Sequence, residues 1–128
     1  MKSRESMVRL KMFQAREKRR EIAQLQMMIA EFERMASDLE VQIDYEERKS
    51  GNSDINHFAY SPFARAVRQR RDNLMNSIRE LRIQKTNAEI DLHELDTELQ
   101  YAQALEKRED SSAMEKDSTT IQSRSMTG

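Results

Sequence analysis

Apolar side chains return along the first part of the chain at alternating steps of three and four, through Ile22, Leu25, Ile29, Phe32, Ala36, Leu39 and Ile43. Followed backwards, the rhythm meets Lys18, Ala15, Lys11 and Val8. It resumes later in Val67, Leu74, Ile78, Leu81, Ala88, Leu92, Leu95, Leu99 and Ala102, with Arg71 and Lys85 as polar interruptions. Alternating steps of this kind put one narrow apolar seam on a helix, which is the pattern of a coiled coil.

The two periodic stretches are separated by Ser50-Gly51-Asn52-Ser53-Asp54-Ile55-Asn56-His57-Phe58-Ala59-Tyr60-Ser61-Pro62, which holds the only proline and the only glycine before the last residue. Arg48 and Lys49 suit the negative end of a helix, and Gly51 can take the left-handed conformation just beyond it. Ser61 followed by Pro62 reads as an N-cap and first helical residue, where a missing N–H costs nothing. The pattern predicts a helix over about 3–49, a loop over 50–61 and a helix over about 62–107. Each helix would be about 45 residues, or about 70 Å, long. Two equal helices joined by one loop imply an all-α, antiparallel coiled-coil hairpin spanning residues 1–109.

Register and charge agree with that orientation. A turn centred near Ile55 pairs seam residues whose numbers total 110, such as Phe32 with Ile78, Ile29 with Leu81 and Ile22 with Ala88. Residues 1–21 carry net charge +5 and residues 22–49 carry −4; residues 62–85 carry +5 and residues 86–110 carry −6. Folding back at the loop sets each positive block beside a negative one. A parallel pairing of either helix with its own copy sets like against like. Exposed ion pairs contribute about 0.2–1 kcal/mol each, so the charges select orientation more than they add stability.

Composition narrows the function classes. Of 128 residues, 35% are charged and the formal net charge is −1, which gives no global attraction to nucleic acid or to an anionic membrane. Cysteine is absent, so disulfides and thiolate metal sites are excluded. The longest apolar run is Met27 to Ala30, too short for a membrane span or a signal-peptide core. The expectation is a chain that stays in the cytoplasm and does not insert into a membrane. Residues 110–128 are rich in Ser, Thr and charge without periodicity, and read as a disordered tail.

No enzyme is expected. His57 and His93 have no second histidine at ligand spacing, and the carboxylates read as solvated helix faces. No glycine-rich loop is present to cradle a phosphate. The pattern therefore gives no catalytic, cofactor-binding or metal residues. The basic runs at 16–20 and 65–71 lack interleaved aromatics, and each would face the acidic block of the other helix, so nucleic acid is not an expected partner.

What the seam leaves over points to protein partners. Met27, Met28, Ile83 and Ile90 fall outside it and form a candidate apolar partner surface, with Leu10, Met12, Phe13 and Met35 nearby. Four rings, Tyr45, Phe58, Tyr60 and Phe63, gather at the loop end, more than the capping of the last layers requires. The seam is also uneven, because Lys11, Lys18 and Lys85 stand at core positions and weaken their layers.

The segment from Met7 to Arg20, MVRLKMFQAREKRR, resembles flagellar type III export proteins of the FliJ family from alphaproteobacteria. So do Met28 to Met35, MIAEFERM, and His57-Phe58-Ala59-Tyr60. The resemblance covers residues 1 to about 109. It implies a non-enzymatic coiled-coil stalk linking an export ATPase ring to the membrane export gate, with export chaperones as further partners. It also implies a cytoplasmic location, peripheral to the inner membrane at the export apparatus, and a monomer outside the complex. Carried over by position, Leu10, Phe13, Tyr101 and Leu105 would face the ATPase ring, and Tyr45, Phe58, Tyr60 and Phe63 the gate. Two other readings compete: a self-associating coiled-coil scaffold built on Ile83, Ile90 and the methionine-rich shoulder, and a nucleic-acid-binding helical hairpin.

Overall fold

A computed structural model of the chain describes the backbone from Lys2 to Thr127 and side chains from Ser3 to Glu115. It consists of two long α-helices packed against each other, α1 (Lys2–Ser50) and α2 (Pro62–Thr127), with no strand among the described residues. Their contacts divide into two compact units, one of Arg20–Glu89 and one of Met1–Arg19 with Ile90–Gly128.

In the Arg20–Glu89 unit the seam is the core. Leu25, Ile29, Ile78, Leu81 and Ala88 form one buried cluster, with Ile22 and Phe32 packed against it. Leu39, Ile43 and Val67 form a second, flanked by Leu74. The turn near Ile55 that sets Ile29 against Leu81 also sets Ile43 against Val67, and each pair shares a cluster. Ile78 is fully enclosed, and Lys85 keeps its side chain about one-third exposed while its ammonium reaches Glu89 at 3.6 Å.

The ends of the helices bordering the loop carry their own stop and start devices. Gly51 takes a φ of +73° and donates its N–H to the Glu47 carbonyl at 3.0 Å, closing α1 in the left-handed conformation that glycine adopts without strain. A Cβ at Gly51 would meet nothing within 4 Å, so the residue is required by its backbone angle and not by space. Ser61 Oγ accepts the Ala64 N–H at 3.2 Å and the Ser61 carbonyl accepts the Arg65 N–H at 3.0 Å, which makes Ser61 the N-cap and Pro62 the first helical residue.

In the unit containing both ends of the chain, Val8, Ala15 and Ala102 are buried, while Leu92, Leu95 and Leu99 are half-buried. Lys11 and Lys18 extend from core positions to carboxylates of the opposite helix, Lys11 to Glu98 and Lys18 to Asp91 at 3.7 Å. Arg4 reaches Glu109 at 3.2 Å and Arg19 reaches Asp96 at 2.9 Å. The small residues and lysines make a thinner core here than in the Arg20–Glu89 unit.

The helix α2 is longer than the 62–107 span that the periodicity gives. The last buried seam residue is Ala102, and residues 110–115 are helical with every side chain exposed. No proline or glycine interrupts the chain between Pro62 and Gly128, so nothing in the backbone stops the helix where its apolar face ends. The remainder of the tail expected to be disordered, from residue 116 onward, lies outside the described side chains.

Candidate functional site

The loop is the part of the molecule with the densest polar organisation, and it is built from three consecutive short turns. Asn52 Oδ1 accepts the Asp54 N–H at 2.9 Å, Asp54 Oδ1 accepts the Asn56 N–H at 3.0 Å, and His57 Nδ1 accepts the Ala59 N–H at 3.0 Å. Asn and Asp often close turns of this kind by bonding the backbone two residues on; here His57 does the same with a ring nitrogen. The His57 and Tyr60 N–H groups donate to the carbonyls of Asp54 and His57, both at 3.1 Å. Arg65 Nη2 closes the loop from outside by donating to the Ile55 carbonyl at 2.8 Å.

Beneath the loop, Tyr60 is locked. It is 3% exposed, and its hydroxyl accepts from Arg68 Nε at 2.7 Å. Arg68 Nη2 also donates to Glu47 Oε1 at 2.6 Å, and Tyr60 donates weakly to the same oxygen at 3.4 Å. The bond Arg68 donates to Glu47, followed by the one it donates to Tyr60, raises its pKa above the ordinary value and keeps the guanidinium charged. Arg65 and Arg68 also lie over the Tyr60 ring, 5.3 and 6.0 Å from its centre. Ser61 Oγ donates to Glu46 at 3.1 Å. Glu46, Glu47, Tyr60, Ser61, Arg65 and Arg68 thus tie the end of α1 to the start of α2.

This geometry corrects one expectation. Tyr60, grouped with Tyr45, Phe58 and Phe63 as a contact ring, has no free face, because the last layers of the helix pair use it as their cap. Tyr45 and Phe63 are 66% and 56% exposed on the helices, and Phe58 is 95% exposed at the loop. The Phe58 ring stacks on His57 with centres 4.6 Å apart and planes 25° apart. The sequence pattern did not single out His57 as a turn former or Arg68 as a half-buried anchor. A histidine two positions before a backbone N–H in a run of Asn and Asp turns is the signal that was available for the first.

Elsewhere the candidate residues are presented rather than gathered. In the Arg20–Glu89 unit, Met27 and Met28 of α1 and Ile83 of α2 are exposed. One flank of this unit is closed by the cross-helix pairs Arg82–Glu33 and Arg68–Glu47, both at 2.6 Å. Another part of the unit opens as a shallow groove over Met35, Leu39 and Leu74, rimmed by Asp38, Arg70 and Asn73. In the unit containing both chain ends, Leu10, Phe13, Ile90 and Tyr101 are exposed and Leu105 is half-buried. Tyr101 and Leu105 line a groove with Met7 and Ala102 that the pairs Lys11–Glu98 and Arg4–Glu109 border, whereas Leu10 and Phe13 do not line it.

The basic run at 65–71 is largely engaged within the molecule: Arg65 with the loop, Arg68 with Glu47 and Tyr60, and Arg71 with Asp72 at 3.1 Å and Glu40 at 4.0 Å. Among the described residues no helix is long and apolar enough to cross a membrane, and no group of three or more His, Cys, Asp or Glu is placed to hold a metal ion. No protein-family model matches this chain, and neither do the curated proteins or the solved structures compared with it.

Proposed function

We propose that this chain is a non-enzymatic component of a flagellar type III export apparatus, a coiled-coil stalk joining an export ATPase ring to the membrane export gate. The observation that carries this reading is the pairing of two long antiparallel helices whose single connection is a stiffly bonded loop bearing one almost fully exposed aromatic ring. Together with the sequence resemblance to the FliJ family, that architecture suits a part that transmits position between two partners. The exposed Leu10, Phe13 and Tyr101, with the adjoining Leu105, are the proposed ring contacts, and the loop end is the proposed gate contact. Export chaperones are further proposed partners. The location that follows is cytoplasmic, peripheral to the inner membrane.

Co-purification with the cognate export ATPase, followed by the ATPase turnover rate with and without this chain, tests the reading. Binding and a changed rate support it; no binding and an unchanged rate remove it.

A self-associating scaffold is favoured by a different observation, the exposure of Met27, Ile83 and Ile90 at 73%, 62% and 53%. Light scattering at micromolar concentration separates the two readings: the stalk is a monomer and the scaffold a dimer. The nucleic-acid reading is weakened by the internal engagement of Arg65, Arg68 and Arg71. Nucleic-acid affinity that survives physiological salt would restore it.

A further inference from the structure

Phe58 is the most exposed large apolar side chain among the described residues, at 95%. A ring on a slack loop would fold down against the neighbouring helices and hide part of its surface. Here it does not, because the backbone on both sides is fixed. Asn52, Asp54 and His57 each close a two-residue turn, and Arg65 holds the Ile55 carbonyl. The bond from the Ala59 N–H to His57 Nδ1 sets the plane of the imidazole, and the imidazole sets the plane of the phenyl ring stacked on it. A large apolar group already held in its bound pose loses little conformational freedom on docking, so more of its burial energy appears as affinity.

We propose that the loop is a preorganised presenter, in which Phe58 inserts into an apolar pocket of a folded protein partner and His57 is its positioning residue. This rests on the reading of the loop end as the gate contact and divides the labour within it. Tyr60 is the lock beneath the loop and contacts no partner. Tyr45 and Phe63 lie on the helices, make no ring–ring contact among the described residues, and contribute little. The partner is a protein pocket and not a lipid surface. Phe58 and the partly exposed Ile55, set among exposed Ser53, Asp54 and Asn56, offer too little apolar area to anchor in a bilayer, and Asp54 opposes anionic headgroups.

The test measures binding of the full-length chain to the cytoplasmic domain of the cognate export gate. Phe58→Ala is expected to weaken binding at least tenfold, with circular dichroism unchanged because the ring has no core role. Tyr45→Ala and Phe63→Ala should stay within twofold of the parent chain. Two His57 variants separate stacking from hydrogen bonding: His57→Phe keeps a ring without the acceptor, and His57→Asn keeps an acceptor near the Nδ1 position without the ring. Each should weaken binding severalfold.

Amide exchange in the free chain gives a second readout that needs no partner. His57→Phe should speed exchange at Ala59 more than tenfold, and His57→Asn should restore protection to within about threefold of the parent. Unchanged Ala59 protection in His57→Phe, or full affinity in Phe58→Ala where the parent chain binds, overturns the proposal. Failure of the parent chain itself to bind the gate domain removes the functional reading and this proposal with it.

Discussion

Arg82 on α2 donates to Glu33 on α1 at 2.6 Å, across a sequence separation of 49. Arg68 and Glu47 repeat the arrangement at the same distance, fourteen positions further along each helix towards the loop. Two heptads separate the rungs, so both fall on one flank of the seam. They give the charge blocks of the sequence a concrete form.

Because Arg82 and Glu33 are both about half exposed, their pairing should orient more than it stabilises. A double-mutant cycle with Arg82→Glu and Glu33→Arg should give a coupling of at most about 1 kcal/mol, with the double reversal close to the parent. Chemical denaturation of the four proteins measures it. A coupling of several kcal/mol would mean that the pair is far less solvated than its exposure implies.

The seam predicts opposite outcomes for two neighbouring core positions. Ile78→Ala removes a fully enclosed side chain and should cost about 2–5 kcal/mol in the unfolding free energy. Lys85→Leu fills a layer now occupied by a partly exposed stem, and should raise the thermal midpoint of the isolated chain. A Lys85→Leu variant that melts lower than the parent would show that this layer is set by something other than apolar packing.

At Gly51 the expectation is strain without collision. Gly51→Ala should destabilise by about 1 kcal/mol, although the added methyl meets no atom within 4 Å, because a side chain at φ +73° is disfavoured. Gly51→Asn should lose less, since asparagine tolerates the left-handed region. Equal stability of all three proteins would show that the turn relaxes to another conformation.

Tyr60 separates its packing from its hydroxyl. Tyr60→Phe leaves the ring and removes the acceptor of Arg68 Nε, for a loss of about 1–2 kcal/mol. Tyr60→Ala also empties the cap of the last layers and should cost about 3 kcal/mol or more. Urea unfolding ranks the two; a Phe variant as damaged as the Ala variant would assign the whole effect to the hydroxyl.

Hydrogen exchange should be faster at residues 8–18 than at 29–43. Lys11 and Lys18 occupy core positions in the first stretch, whereas Ile29, Leu39 and Ile43 are buried in the second. The reverse order would show that the paired lysines hold their layers as well as aliphatic residues do.

The seam residues were legible because a helix repeats every 3.6 residues, so spacing alone marks the side that can be buried. Ile29, Ile43, Ile78 and Leu81 are buried as their spacing requires. Gly51, Ser61 and Pro62 were legible because each has a single-residue backbone reason to stand at a helix end. Where α2 stops was not legible from periodicity. The last buried seam residue is Ala102, whereas the helical backbone continues past it because no breaker residue intervenes.

The loop divides along the same line. Its aromatic content is written in the sequence, but not which ring faces out. Phe58 and Tyr60 differ by one hydroxyl and two positions, yet one is 95% exposed and the other 3%. That difference arises from partners distant along the chain. Glu47 lies thirteen residues before Tyr60, and Arg68 eight after it. By itself the sequence determined two helices, their fold-back and their register, because these follow from local backbone preference and a repeating pattern. Only the tertiary structure decided which ring is cap and which is free, because that depends on hydrogen bonds between groups that meet only after the chain has turned.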